Sequence, residues 1–227
     1  MKLAIIGAMD IEINFLVTQL TDKKVDTINN FTFFSGNLLH HEVVIVKSGI
    51  GKVMSGLLLS TLMHNFRNLD KIINVGVAGG LAPLEIADIV VGSNYLYGDV
   101  DLTGIDDVPY GQMANFPLLY PGDNTLIANI KDVHFGIICT TDKFIARLED
   151  AQEIINKFPK DFPILCFDME STAFAQSCYH FHIPFLAIRA ISDIIGSQKQ
   201  EHTFYSNVEK ASIKSNEFIL QLLKNLN

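Results

Sequence analysis

Short runs of apolar, mostly β-branched residues alternate along the chain with segments in which apolar residues recur at helical spacing. Runs of about four to eight such residues between turn formers predict buried strands, whereas a period near 3.6 predicts amphipathic helices. The pattern predicts strands at residues 3–6, 31–35, 42–47, 71–77, 88–91, 133–139, 164–167 and 185–191. It predicts helices at residues 10–20, 51–65, 169–180 and 207–226.

The alternation of strands and helices along the whole chain favours an α/β fold in one domain, residues 1–227. We expect helices on both faces of a largely parallel or mixed sheet, with ligands beyond the carboxyl ends of its strands. The stretch 92–122 carries many Gly, Asp and Pro residues and is the longest irregular segment. Loops of that length usually serve function or form an interface.

Composition and charge restrict the classes of function. Of the 227 residues, 48% are hydrophobic and 19% are charged, which is enough apolar material for a large core. The net charge of −8 argues against binding to nucleic acid or to anionic membranes, because both require clustered Lys and Arg. No apolar run reaches the roughly 18 residues that cross a bilayer. An odd number of cysteines without CxxC spacing (Cys139, Cys166 and Cys178) indicates reduced, buried thiols in a cytoplasmic protein.

Two glycine clusters follow predicted strands but match no nucleotide-binding fingerprint. Gly51-Lys52 would need a glycine at position 46 and Ser or Thr at position 53 for a phosphate loop, and both positions hold valine. The cluster at residues 76–80 lacks the dinucleotide-binding spacing. Glycines at strand ends either let the main chain approach a ligand closely or form tight turns, and the sequence leaves both interpretations open.

Three acidic residues occupy positions where chemistry is expected. Glu12 lies early in the helix after the first strand, Glu170 lies at a strand-to-helix junction, and Asp193 lies just past the strand at 185–191. Each also has a structural explanation, since acids favour helix N-termini and Asp often caps a helix or forms a turn. Their common placement at strand ends favours a catalytic role.

Six motifs occur in register across most of the chain: IIGAMDIEI, KSGIGKV, NVGVAGGLAP, DIVVG, FDMESTAFA and RAISD. Together they resemble the 5′-methylthioadenosine/S-adenosylhomocysteine nucleosidases within the nucleoside phosphorylase superfamily. The resemblance implies a three-layer α/β/α sandwich around a central mixed sheet. It also implies a homodimer whose partner closes part of each pocket, and an enzyme that needs no cofactor.

The activity that the resemblance implies is hydrolysis of the N-glycosidic bond of methylthioadenosine and S-adenosylhomocysteine, and also of 5′-deoxyadenosine. Water is the nucleophile, and adenine and the 5′-substituted ribose are released, which places the enzyme in methionine salvage. By resemblance, Glu12 would activate the water, Glu170 would bind the ribose hydroxyls, and Asp193 would protonate adenine N7. Ser192 would assist Asp193, and Arg189 would lie near the water and Glu12.

The resemblance also implies a set of pocket residues. Phe144 would stack on the purine, the Ile145 backbone would read the purine edge, and Met169 would pack on the sugar. The remaining expected pocket residues are Ala78 and Gly79 at the floor, Ile50 and Phe204 near the 5′ substituent, Val77 where some relatives carry serine, Asp168 where glutamate is frequent, and Leu102 and Ile105 as the wall supplied by the partner subunit.

The chemistry needs two carboxyls in opposite protonation states. Adenine leaves poorly as an anion, so protonation of N7 requires an acid that keeps its proton near neutral pH, and an apolar site can raise the pKa of Asp193 enough for that. Glu12 must instead be ionised to take a proton from water. A carboxylate such as Glu170 near the ribose can stabilise the positive charge that develops on the sugar.

Two other functions remain as alternatives. A phosphorylase of the same fold would bind phosphate with arginines, but the chain has only Arg67, Arg147 and Arg189, and the first two fall in predicted helices. Asn74 stands where those enzymes carry an arginine. A non-catalytic nucleoside-binding module would not require both an acid and a base.

We expect no metal site, because the pairs His40-His41 and His180/His182 offer no convincing ligand set.

Overall fold

The computed structural model describes residues 1–105, 107–128, 130–197 and 200–226. Its strands are β1 (Lys2–Gly7), β2 (Thr21–Ile28), β3 (Phe31–Leu38), β4 (His41–Lys47), β5 (Lys71–Gly80), β6 (Ile89–Tyr97), β7 (Tyr120–Pro121), β8 (His134–Thr140), β9 (Ile164–Asp168) and β10 (Phe185–Ile194). Its helices are α1 (Asp10–Thr18), α2 (Lys52–Asn65), α3 (Asn124–Ile127), α4 (Leu148–Ile155), α5 (Ser171–Phe181) and α6 (Gln200–Asn225). Within the described residues, no helix combines the length and the apolar character needed to cross a bilayer.

The strands form one mixed sheet. β1 lies between β4 and β5 and is parallel to both, and β10 is parallel to β5. β2, β3 and β4 extend one side of the sheet as antiparallel neighbours. On the other side, hydrogen-bonded pairs join β5, β10, β6, β8 and β9 into a closed circuit, because β9 returns to the end of β5. The carboxyl ends of β1, β5 and β10 therefore open at the same edge.

Apolar side chains cover both faces of the sheet. Along β1, Ala4 and Ile6 face a core that also contains Leu58 of α2 and Phe174 of α5. The alternate residues Leu3 and Ile5 belong to a second core with Ile13 and Leu16 of α1 and Ile219 of α6. Successive strand residues point to opposite faces, so both faces of a strand this apolar require helices. The predicted three-layer α/β/α arrangement is confirmed.

Four elements were absent from the sequence prediction. β2 has the polar sequence TDKKVDTI, is exposed along its length and pairs only with β3 at the edge of the sheet. A strand with no buried face lacks the period-2 signal. The short α3, α4 and β7 likewise carry few buried residues. The stretch 92–122 is also less irregular than expected, because β6 continues to Tyr97.

The structure corrects several local expectations. β10 runs through Ile194, so Asp193 lies inside the strand rather than past it. Arg67 follows α2 and Arg147 immediately precedes α4, so neither lies in a helix. His41 is not a turn residue: it begins β4, is fully buried, and its Nε2 lies 3.0 Å from the carbonyl oxygen of Leu223 at the end of α6.

Tyr95 stabilises the junction where β6 leaves β10. The two strands pair only at Ile188–Ala190, so the amide of Ala187 has no partner on β6. The buried Tyr95 hydroxyl accepts a hydrogen bond from that amide at 2.7 Å and donates one to the carbonyl of Gly92 at 3.0 Å. It thereby satisfies two backbone groups that water cannot reach.

We therefore predict that Tyr95→Phe lowers the free energy of unfolding by about 1–3 kcal/mol, because it leaves a buried amide unsatisfied. Urea denaturation followed by circular dichroism measures the change. Tyr110→Phe is the matched control, since that hydroxyl is only partly buried where it donates to the carbonyl of Gly98. Equal losses in the two variants would contradict the assignment.

Candidate active site

A cavity of about 320 Å³ opens at the carboxyl ends of β1, β5 and β10, where the fold predicts a ligand site. Its size suits a small organic ligand. The residues that line it come from strand ends, from the loops that follow β4 and β8, and from the start of α6: Ala8, Met9, Glu12, Ile50, Val77, Ala78, Gly79, Phe144, Asp168, Met169, Glu170, Ser192, Asp193, Phe204 and Tyr205.

Glu12 is held rigidly at the floor of this cavity. It lies in the first turn of α1 and is 3% exposed. Oε2 accepts hydrogen bonds from the amides of Ala8 and Met9 at 2.7 and 2.9 Å, and Oε1 accepts one from the amide of Val77 at 3.0 Å. A Cβ on Gly76 would lie 2.5 Å from Oε1, so the glycine there allows the carboxyl to reach the β5 backbone.

Burial dominates the electrostatics of Glu12. Loss of water raises the pKa of its carboxyl above the ordinary value, while the charge of Arg189 and the three amide donors partly oppose the increase. A carboxylate in this state is a stronger base than an exposed one. The local geometry thus suits the abstraction of a proton near neutral pH.

Asp193 lines the same cavity from an irregular part of β10. The register against β5 shifts between Ile191 and Asp193, and this bulge directs two successive side chains, Ser192 and Asp193, to the cavity. The Ser192 hydroxyl lies 2.7 Å from Asp193 Oδ1, and Asp193 is 1% exposed. A Cβ on Gly79 would lie 3.2 Å from Asp193 Oδ2, so this carboxyl packs directly on the glycine cluster.

Glu170 is the N-cap residue of α5, directly before its first residue, and is buried. Its Oε1 accepts a hydrogen bond from the amide of Gly51 at 2.9 Å. Burial and the nearby charge of Asp168 raise the pKa of Glu170 to about 8, against the opposing charge of Arg189. Gly51 has φ +94°, a conformation that favours glycine.

Arg189 does not line the cavity but lies buried behind its wall. Its Nε and Nη2 donate to Asp168 Oδ2 at 3.0 and 2.8 Å, and its Nη2 also donates to the side-chain oxygen of Asn74. Thr140 donates to Asp168 Oδ1 at 2.6 Å and completes the arrangement. The guanidinium therefore acts on Glu12 through its charge, with its hydrogen bonds directed to other groups.

The apolar side of the cavity is formed by aromatic and aliphatic side chains. Phe144 and Phe204 meet edge to face, with ring centroids 5.7 Å apart. Ile50, Phe144 and Tyr205 remain 55%, 44% and 71% exposed, so this side of the cavity is open in a single chain. A flat aromatic ligand can stack here while polar groups bind it at the floor.

Most residues predicted from the sequence converge on this cavity, and a few do not. Ile145 has a buried side chain in the core beside Phe144, and only its backbone could serve a ligand. Leu102 packs partly against the core and Ile105 is 60% exposed, and neither lines the cavity of its own chain.

Five residues of this region were not predicted as site residues from the sequence. Ala8, Met9 and Tyr205 line the cavity, and Asn74 and Thr140 hold the Arg189–Asp168 pair. The first three adjoin predicted site residues or belong to a quoted motif, so proximity in sequence could have found them. Asn74 begins the quoted motif NVGVAGGLAP, but its contact with Arg189 on β10 has no signal in the local sequence, and Thr140 at the end of β8 lies in no quoted motif.

Among the residues described here, no three His, Cys, Asp or Glu side chains converge as metal ligands would. The three cysteines are buried and unpaired, as their odd number predicted.

Comparison with known proteins gives a consistent result. The model of the phosphorylase superfamily matches residues 2–226. A Bacillus licheniformis protein named 5′-methylthioadenosine/S-adenosylhomocysteine nucleosidase is 37% identical over 237 residues, covering 100% of both chains. One from Anoxybacillus flavithermus with the same name is 35% identical, also with 100% coverage of both.

Solved structures agree with this result. The nucleosidase of S. pneumoniae with the transition-state inhibitor MT-ImmA superposes with a TM-score of 0.93 at 34% identity, covering 100% of both chains. The Colwellia psychrerythraea nucleosidase in complex with adenine has a TM-score of 0.91 at 35% identity and covers 100% of this chain and 96% of its own. The chain therefore belongs to the 5′-methylthioadenosine/S-adenosylhomocysteine nucleosidases of the phosphorylase superfamily.

Proposed function

We propose that the protein hydrolyses the N-glycosidic bond of 5′-methylthioadenosine and S-adenosylhomocysteine, and also that of 5′-deoxyadenosine, releasing adenine. One observation carries the proposal: two buried carboxyls, Glu12 and Asp193, line one cavity of about 320 Å³ together with the aromatic ring of Phe144. The relatives carry the names of these two substrates. The reaction recycles by-products of S-adenosylmethionine and supports methionine salvage.

The two carboxyls divide the proton transfers. Asp193 donates a proton to adenine N7, with Ser192 holding its carboxyl in place, so the base departs as a neutral molecule. Glu12 takes a proton from the attacking water, and its three backbone donors fix the direction of its oxygens. The two steps together consume one water and leave adenine and a 5′-substituted ribose.

Glu170 and the apolar side of the cavity bind the rest of the substrate. Glu170 Oε1 is engaged by Gly51, which leaves the other oxygen to accept hydrogen bonds from the ribose hydroxyls. Met169 packs on the sugar, Phe144 stacks on the purine, and the Ile145 backbone reads its edge. Ile50 and Phe204 then lie beside the 5′ substituent, and Val77, Ala78 and Gly79 form the floor.

The arginine distribution favours water over phosphate as the nucleophile. Among the described residues, no arginine lines the cavity, and Arg189 directs its hydrogen bonds to Asp168 and Asn74. Arg147 pairs with Asp150 at the surface, and Arg67 is exposed. A phosphate bound beside Glu12 would therefore lack the cations that anion binding requires.

A non-catalytic binding module would have no use for two buried carboxyls, because the burial of ionisable carboxyl groups lowers the stability of the fold.

We predict that the purified protein releases adenine from methylthioadenosine in phosphate-free buffer, and that Glu12→Gln and Asp193→Asn each lower kcat by about 10²–10⁴-fold. Chromatographic measurement of adenine tests this. Asp10→Asn is the matched control, because that carboxylate is exposed and pairs only with Lys47 across the surface. Release of adenine that requires added phosphate would instead establish a phosphorylase.

A second prediction concerns Glu170 and pH. The folded-state pKa of about 8 lies above the ordinary 4.5, so the folded state keeps a proton that the unfolded state loses between these values. Stability therefore falls as pH rises from about 4.5 to about 8. Glutamine cannot ionise and avoids this loss. We expect Glu170→Gln to raise Tm above wild type at pH 8, with the difference shrinking towards pH 5.

Differential scanning calorimetry at both pH values measures the effect. Glu42→Gln is the control, since that side chain is exposed at the surface and pairs with Lys2. An equal Tm difference at pH 5 and pH 8, or a Tm below wild type at pH 8, would show that Glu170 is ionised in the folded protein over the whole range.

We further propose that the protein is a homodimer in which Leu102 and Ile105 form a wall of the partner's cavity. The open apolar side of the cavity supports this, as does the exposure of Ile105 next to a loop without regular structure. Val53 and Leu57, one helical turn apart on α2, extend the exposed apolar surface from the loop that carries Ile50. Large apolar surfaces of this kind mark protein interfaces.

We predict a solution mass of about twice the 25.2 kDa of one chain, measured by light scattering. Ile105→Glu places a charge in the proposed interface, so we expect dissociation and a higher KM for methylthioadenosine. Val25→Glu is the matched control on the exposed edge strand β2. A monomeric wild type with full activity would contradict the proposed wall.

The cellular context follows from the same features. We propose that the enzyme works in the cytoplasm as one domain spanning residues 1–227, without a cofactor or a metal. Three buried, unpaired thiols suit a reducing compartment. The match of the family model to residues 2–226 and the single sheet of all strands support one domain.

A further inference from the structure

Three loops converge at one rim of the cavity. Residues 48–51 join β4 to α2, residues from 98 onward follow β6, and residues 141–147 follow β8. The first loop supplies Ile50 and the Gly51 amide that donates to Glu170, and the third supplies Phe144. The spacing of these loops therefore sets the position of the carboxyl that faces the ribose and of the ring that faces the purine.

A ring of hydrogen bonds ties the three loops together. We call it the Lys52 clamp, and it consists of Lys52, Asp99 and Asp142. Lys52 Nζ lies 2.7 Å from Asp99 Oδ1 and 3.6 Å from Asp142 Oδ2. The backbone amide of Lys52 donates to Asp142 Oδ1 at 3.0 Å, and the backbone amide of Asp142 donates to Asp99 Oδ2 at 2.8 Å.

The clamp is in direct contact with the site through Gly51. A Cβ on Gly51 would lie 3.2 Å from Asp142 Oδ1, so the main chain that donates to Glu170 packs against the clamp. Phe144 lies two residues beyond Asp142 on the same loop. Any separation of Lys52 from Asp142 must therefore displace the Gly51 amide, the Phe144 ring, or both.

The ammonium group of Lys52 balances the charges of two carboxylates in the clamp. Two carboxylates lie beside one cation, and their side chains are 29% and 51% exposed, whereas that of Lys52 is 22% exposed. The ring of Tyr97 covers the ammonium, with its centroid 5.3 Å away. Without the cation, Asp99 and Asp142 would repel each other across the junction of the loops.

We propose that Lys52 is a positioning residue for the hydrolysis, which acts through Asp99 and Asp142 to hold the Gly51 amide on Glu170 and the Phe144 ring over the purine. The inference rests on the roles proposed for Glu170 and Phe144. Both groups bind the substrate before and during bond cleavage, so loss of the clamp affects ground-state and transition-state binding alike. Partly exposed ion pairs contribute little to folding, so the global stability changes little.

The test is steady-state hydrolysis of methylthioadenosine by Lys52→Met, with adenine release as the readout. We expect KM to rise about tenfold with kcat within about threefold of wild type, because uniform binding is lost. Lys52→Arg restores the cation and recovers most of the increase. In the double variant Lys52→Met/Asp99→Asn, the charge repulsion between the side chains at positions 99 and 142 is removed. The side-chain amide oxygen introduced at position 99 still accepts the hydrogen bond from the backbone amide of Asp142. We therefore expect KM to fall back towards the wild-type value.

Lys47→Met is the matched control, because Lys47 pairs with a single aspartate, Asp10, and lies on the exposed surface. Wild-type release of adenine in the same assay tests the proposed function separately from the clamp. A Lys52→Met enzyme whose KM stays within about twofold of wild type overturns the inference. A fall in kcat at unchanged KM, or failure of the double variant to recover, also overturns it. Should Lys52→Met fail to fold, Asp142→Ala removes the same link and carries the same expected KM increase.

Discussion

The buried ion pair between Arg189 and Asp168 is the constraint on which the site depends. Arg189 is the only cation placed among three buried carboxyls, those of Asp168, Glu12 and Glu170, within the described residues. Breaking such a pair costs about 3–5 kcal/mol, because it leaves an uncompensated buried charge. The side-chain oxygen of Asn74 accepts a hydrogen bond from the guanidinium and holds it in place. Burial raises the pKa values of the other two carboxyls, and the charge of Arg189, whose hydrogen bonds go to Asp168, opposes that increase only in part.

With positive charge this scarce, backbone amides supply much of the stabilisation that the buried carboxyls of Glu12 and Glu170 receive. Glu12 receives three backbone amide donors, which favour its ionised form against the effect of burial. Glu170 receives a single amide, and burial together with the charge of Asp168 raises its pKa to about 8. The backbone at the ends of β1 and β5 therefore opposes the effect of burial on Glu12, and glycine at position 76 is what lets Glu12 approach it.

Much of the fold and of the pocket floor could be predicted from the sequence, because buried strands leave apolar runs and strand ends carry the motifs. Glu12, Glu170 and Asp193 were singled out by their placement near strand ends, and the family resemblance supplied their expected roles. The edge strand β2 was not predicted, since a strand without a buried face has no period-2 pattern. The bulge beside Asp193 in β10 and the hydrogen bond from Arg189 to the side-chain oxygen of Asn74 arise from pairing between distant strands, which local patterns do not contain.

The pocket has a buried part, which holds the carboxyls, and a more exposed apolar rim. The carboxyls on the strand ends are buried, whereas Ile50, Phe144 and Tyr205 lie on a more exposed rim. Methylthioadenosine, S-adenosylhomocysteine and 5′-deoxyadenosine share the adenine and the ribose and differ only at the 5′ substituent. In the proposed binding mode that substituent lies beside Ile50 and Phe204, so the contacts that rank these substrates lie outside the buried charge network. The chemistry can therefore stay constant while substrate preference changes, since a substitution at the rim leaves Glu12 and Asp193 in their surroundings.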